Sequence, residues 1–309
     1  MHTLVVLHKL EESFGYYDVT SGEQKIVVPT RQYPHEICID EKRKKIYIAE
    51  MGVRGIESSG PGGNTVAVYD IKTKNRIGTI GTGKYDRPHG IAISDNKLVI
   101  TSESTKNLLV FNLQSEELIK AIYLDQDCAH MVNINPEGTV AFTANIGSNT
   151  LSAVDLKNYS IQYHIDVPER PEGIVFSPNG KYLYCVCREA AVVALVDIKA
   201  AKMISTISTG KGPVRIVISP DGKQICFPLF HSASVQFADT SKKRVTDTLN
   251  IGLHPAGICL SPDGKLVFIS CEEENLVYVI DFKTHQVLNT IRTGKGPDAM
   301  VCLNKNETG

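Results

Sequence analysis

The chain has 309 residues, with 33 Lys+Arg against 34 Asp+Glu, and is 42% apolar and 22% charged. That near-neutral balance leaves no electrostatic footprint for a nucleic acid or an anionic membrane, and the apolar share excludes large-scale disorder. No apolar run approaches the roughly 20 residues of a membrane-spanning helix, and the first eight residues lack the basic start of a signal peptide. The eight cysteines include no Cys-x-x-Cys pair. They read as small apolar fillers in a reducing, cytoplasmic compartment rather than as a disulfide framework or a zinc site.

From the N-terminus, residues 3–7, 14–19 and 25–28 alternate as three short strands. A heptapeptide then begins to recur. It reads Pro34-His-Glu-Ile-Cys-Ile-Asp40, Pro88-His-Gly-Ile-Ala-Ile-Ser94, Ala129-His-Met-Val-Asn-Ile-Asn135 and Pro171-Glu-Gly-Ile-Val-Phe-Ser177. It continues as Pro213-Val-Arg-Ile-Val-Ile-Ser219, Pro255-Ala-Gly-Ile-Cys-Leu-Ser261 and Pro297-Asp-Ala-Met-Val-Cys-Leu303. Its second residue falls at 35, 89, 130, 172, 214, 256 and 298. The spacing is about 42 residues, a propeller period. The one longer gap marks an insertion at 51–63, rich in Gly and Ser. Long loops in compact folds are frequently functional, so this loop is expected to border a pocket and act as a lid.

Each copy reads as four antiparallel strands. In the fifth these are 215–219, 224–229, 234–238 and 245–251, with a Pro-Asp-Gly turn after the first. The Thr-Gly-Lys-Gly-Pro runs at 209–213 and 293–297 lack the strand–loop–helix setting of a phosphate loop and read as crossings between blades. The last copy supplies one strand, and the three N-terminal strands complete its sheet. The expectation is an all-β, single-domain, seven-bladed propeller closed by one C-terminal and three N-terminal strands. Blades fall near 34–80, 88–124, 129–167, 171–208, 213–251, 255–292, and 297–303 with 3–28; the tail from 304 to 309 is expected to fray.

Ser-Pro-Asp-Gly-Lys at 219–223 and 261–265, Asn275-Leu-Val-Tyr-Val-Ile-Asp281, and the strand ends Phe142-Thr-Ala-Asn145 and Tyr47-Ile-Ala-Glu50 make the chain resemble the YVTN-type propeller repeats. The wider group includes lactonase-like propellers and streptogramin lyases. The resemblance covers nearly the whole chain. It implies a seven-bladed ring and ring opening of a cyclic ester, by hydrolysis or elimination.

Antiparallel order brings the start of strand one and the end of strand two to one face. The first position carries His35, His89, His130, Glu172, Val214, Ala256 and Asp298, flanked by Arg215 and His254. The second carries His8, Glu50, Glu103, Asn145, Arg188, His231 and Glu272. Imidazole and carboxylate suit a divalent ion, so His35, His89, His130 and Glu172 are candidate ligands for one Zn, Mn or Mg ion. His231 or Glu103 is then the candidate general base, and Arg188 or Arg215 the partner of an anionic group; in the other chemistry that suits the cluster no metal is needed, and a His and a Glu work as acid and base. Glu50, Asn145, His254, Glu272 and Asp298 complete a candidate substrate-binding rim. The expected function is a hydrolase or lyase acting on a small polar or anionic substrate at a His-rich channel mouth. The alternative is a non-catalytic platform for ligand or protein, which an exposed apolar rim patch rather than a polar pocket would mark.

Overall fold

The computed structural model describes residues 2–304; the tail expected to fray lies, from 305 on, outside the described residues. The strands form seven four-stranded antiparallel sheets arranged as the blades of a ring, as the period implies. The seventh blade has the order Pro297–Asn304, His2–His8, Ser13–Asp18, Gln24–Pro29, so the C-terminal strand is innermost and pairs with the N-terminal one. Among the described residues no helix is long and apolar enough to cross a membrane. All eight cysteines are free thiols.

The core is divided among the blade interfaces. Between blades seven and one, Phe14 packs edge-on against Tyr69 at 4.8 Å, with Leu7, Ile46 and Ile48 fully buried around them. Comparable apolar layers lie between each neighbouring pair, for instance Phe142, Phe176 and Leu183 between blades three and four. The Ser-Pro-Asp-Gly turns are built by their own side chains. Ser219 and Ser261 donate to Asp221 and Asp263 at 2.7 Å, and Gly222 and Gly264 take the left-handed conformation the turn requires.

One element is shorter than its pattern predicts. The inner strand of blade five is reduced to Val217–Ile218, with an isolated bridge between Pro213 and Leu229. The facing strand contains Pro228, which has no N–H to donate to this stretch. The Val214 carbonyl instead accepts from Gly173 N–H of blade four at 2.9 Å.

The entries to the inner strands share a feature that places the site. Pairing with the second strand skips a residue between Pro34 and Glu36, Pro88 and Ile91, Ala129 and Val132, Pro171 and Ile174, and Pro255 and Ile258. The same irregularity falls between Pro297 and Met300. Each is a β-bulge at the repeat's second residue. A bulge breaks the alternation of faces and re-aims a side chain.

Candidate active site

The bulges gather His35, His89 and His130 from blades one, two and three. The His35 and His89 rings lie 4.3 Å apart, nearly perpendicular, and His89 and His130 stack at 3.8 Å. Glu103, at the end of the second strand of blade two, holds His130 Nδ1 at 2.6 Å through Oε1, and His89 Nε2 is 3.9 Å from the same oxygen. His89 is wholly buried, and neither of its ring nitrogens makes a hydrogen bond; Glu103 Oε2 is also buried without a donor. Burial, then the positive potential of His130, His35 and Arg215, pushes the His89 pKa well below the ordinary value. His89 is therefore a neutral imidazole with a free lone pair.

A second group is a charge network. Arg215 of blade five is ion-paired with Glu36 of blade one and donates to Asp298 of blade seven at 2.8 Å. Lys9 Nζ lies 2.9 Å from Asp298 and 3.4 Å from Glu272, and His35 Nδ1 is 3.0 Å from Asp298. Burial opposes the charge on Asp298, but Lys9, Arg215 and His35 outweigh it and hold its carboxyl well below the usual range. Burial likewise opposes the charge on Lys9, and Asp298 and Glu272 reverse that effect, raising its pKa.

These two groups border a pocket of about 260 Å³ on the channel axis. Its wall also carries Arg170 and Arg188, both 3.1 Å from Glu172 Oε1. Arg188 lies over the Phe230 ring at 4.8 Å, and its buried Nε has no partner, leaving a donor to spare. The 51–63 insertion borders this pocket through Arg54, Gly55, Ile56 and Glu57. Arg54 approaches Glu272 at 3.6 Å, and Glu57 approaches Arg170 at 3.8 Å, so the loop touches blades on both sides of the mouth. Arg87 pins it, donating to the carbonyls of Ile56, Ser58, Gly60 and Pro61.

The structure separates the sequence-derived set. His35, His130, Glu172, Arg188, Arg215, Glu272 and Asp298 line the pocket, and Glu103 and His89 lie beneath it. Glu172 stands apart from the three histidines, because Arg170 and Arg188 hold it. Glu50 is buried outside the lining, clamped by Arg76 at 2.8 and 3.0 Å and by Thr65 at 2.7 Å. Asn145 is likewise outside, bonded to Thr143, Thr150 and Ser152. His254 and His231 are outside the lining: His254 stacks on Phe230 and pairs with Glu273, and His231 lies 3.3 Å from Arg188 and edge-on to Phe230. Burial, then Arg188, lowers the His231 pKa.

Sequence reasoning missed Glu36, Lys9, Arg54, Arg170 and Phe230. For Glu36 a signal existed. The repeat's third residue is Gly at 90, 173 and 257, where a Cβ would lie within 2.6 Å of a neighbouring inner strand. A charged residue at this position, as at Glu36 and Arg215, had to find other space.

Comparison with known proteins agrees with this architecture. The model of the lactonase, seven-bladed beta-propeller family matches residues 124–302. The antigen Lp49 of Leptospira interrogans is 31% identical over 132 residues, 40% of this chain. The match spans only 28% of that relative's length. Among solved structures, a functionally unknown protein from Desulfotomaculum acetoxidans aligns with a TM-score of 0.83 at 11% identity, over 98% of this chain and 99% of the other. The periplasmic gluconolactonase PpgL of Pseudomonas aeruginosa aligns with a TM-score of 0.81 at 16% identity, over 98% and 99%. A Bacteroides fragilis protein described as a candidate 6-phosphogluconolactonase gives 0.79 at 16%, over 98% of each chain. With the family model covering more than half of its length, the chain belongs to the lactonase seven-bladed β-propeller family.

Proposed function

We propose that this protein hydrolyses a small cyclic ester bearing an anionic group, at the mouth of the central channel. The observation that carries the reading is the convergence of two kinds of chemistry on one pocket. The His130–Glu103 pair lies at its floor, and Arg188, Arg170, Arg215 and Lys9 stand on its walls. The floor activates water. The arginines hold the anionic substituent and draw charge from the ester carbonyl as its oxygen becomes negative. Water adds to that carbonyl, the ring C–O bond breaks, and the departing alkoxide takes a proton, so one water is consumed and a hydroxy acid is released. The insertion at 51–63 closes over the substrate, with Arg54 as a further anion contact. Family membership and the likeness to proteins named as gluconolactonases support this reading.

The exposed apolar surface also favours it over a docking platform. Ten of the twelve large exposed hydrophobics lie on the outermost strands of five different blades, and Leu10 and Leu253 stand in two separate loops. Among the described residues only Leu10 and Leu253 thus lie off the outer strands. The test is a hydrolysis assay with glucono-1,5-lactone and its 6-phosphate. The expected result is a kcat/KM at least roughly tenfold higher for the phosphorylated lactone, a difference of about 1.4 kcal/mol, and lost in Arg188→Met. Failure to accelerate either lactone above the buffer rate would overturn the proposal and favour a binding platform.

A further inference from the structure

The buried carboxylates around the channel differ in one respect. Asp298 has Lys9 and Arg215, Glu36 has Arg215, and Glu172 has Arg170 and Arg188. Among the described residues Glu103 faces only His89 and His130. Unlike the others, Glu103 therefore has no lysine or arginine to balance it in a buried position. Next to it His89 keeps both nitrogens unpaired in a fully buried position, and Glu103 Oε2 is unpaired as well. Each such group costs on the order of 1–3 kcal/mol when left unsatisfied. Three unpaired atoms and a carboxylate with no Lys or Arg partner meet in one place.

We infer that His89, Glu103 and His130 bind one first-row divalent transition-metal ion. Each offers one ligand atom, and these lie within 4.8 Å of one another. Two imidazoles and one carboxylate are a donor set suited to zinc and its neighbours, and three protein ligands leave a coordination position open. The ion would neutralise Glu103 and engage the idle His89 lone pair. A second overlapping set, His35, Glu36 and His89, meets the same distance condition. That set lacks an unbalanced carboxylate: Glu36 is ion-paired with Arg215, and His35 Nδ1 lies 3.0 Å from Asp298. Because His130 also lines the pocket, the ion would sit where the proposed hydrolysis needs its water activated. That catalytic consequence rests on the hydrolase reading, whereas ion binding does not.

The test needs no substrate. Full-length protein is stripped with EDTA, desalted and titrated with ZnCl₂, and in parallel with CoCl₂ followed by visible absorption. The expected result is one tightly held ion per chain and a cobalt spectrum typical of nitrogen and oxygen ligation. Glu103→Gln and His130→Gln should each weaken binding by about tenfold or more, and His89→Gln by roughly 100-fold, while His35→Gln and Glu36→Gln stay within about threefold. Thermal unfolding of each variant controls for folding. If His89→Gln does not fold, Glu103→Gln, His130→Gln and the wild-type cobalt spectrum decide. No ion retained, or retention indifferent to Glu103→Gln and His130→Gln, overturns the inference; the latter outcome assigns the ion to surface histidines. If the protein retains no ion yet hydrolyses the lactone, this inference falls and the hydrolase reading stands.

Discussion

Arg215 on blade five and Glu36 on blade one are 179 positions apart and ion-paired across the central channel. Asp298 on blade seven accepts from the same guanidinium, so one side chain ties three blades together at the axis. Burial resists the charge on Arg215, and the two carboxylates more than compensate, raising its pKa further. Removing it leaves two carboxylates short of a counter-charge in a poorly hydrated space. Arg215→Met should destabilise the fold by about 3–5 kcal/mol in urea unfolding. The double variant with Glu36→Gln should lose less than the two single losses combined. Additive losses would mean that the pair contributes no coupling.

A pH dependence follows from His8. It is fully buried, with its ring nitrogens 2.9 Å from Ser13 Oγ and 2.8 Å from the Tyr17 hydroxyl. Burial, partly offset by Glu11, lowers its pKa from 6.5 to about 4. The unfolded chain therefore takes up a proton near pH 6.5 that the folded chain refuses until about pH 4. The contribution is intact above pH 6.5, is lost as pH falls between those values, and is constant below them. It amounts to about 3 kcal/mol at most. The stability difference between wild type and His8→Gln, followed by urea unfolding from pH 7 to pH 4, should narrow as pH falls. A difference that does not change with pH would refute the assignment.

The insertion depends on Arg87, whose guanidinium satisfies four of its carbonyls. Arg87→Ala should release the loop without loosening the ring. Trypsin should cut after Arg54 about tenfold faster, equivalent to about 1.4 kcal/mol of local opening, with the global unfolding midpoint nearly unchanged. Equal cleavage rates in the two proteins would show that the loop is held by something else.

Glycines at the channel offer a steric test. At Gly257 a Cβ would stand 2.0 Å from the Asp298 carbonyl oxygen and 2.7 Å from Ser270 Oγ. Inner strands approach closely there, and backbone cannot step aside. Gly257→Ala should cost about 2–3 kcal/mol or more. Gly81, on an outermost strand, has nothing within 4 Å of the same position, and Gly81→Ala should be neutral or slightly stabilising. Thermal unfolding of the two variants checks both.

The number of blades, the closure by strands from both ends and the face carrying the polar residues were legible in the period alone. What the period could not carry was partnership. Glu50 and Glu103 hold the same place in the repeat, at the end of the second strand. Arg76 on the outermost strand of its own blade takes Glu50, whereas Glu103 has only histidines. Such outcomes depend on residues outside the repeated heptapeptide. The bulges at the inner-strand entries were also hidden, since a skipped residue leaves no mark on an apolar alternation. Blade five shows the reverse case: Pro228 was visible in the sequence, and its missing N–H accounts for the curtailed strand beside it.

The joined seventh blade has a consequence for biosynthesis. Among the strands of the ring, His2–His8 is made before the others, and its inner partner Pro297–Asn304 after them. At about 5–20 residues per second, the first three strands wait on the order of 15–60 s before that partner leaves the ribosome. Until then they present an unpaired backbone edge and the apolar faces of Leu4 and Val6, which the finished ring covers. An open edge of this kind is a template for pairing with another nascent chain. The seam that joins the two ends of the ring is thus a segment in need of a chaperone while the chain is being made.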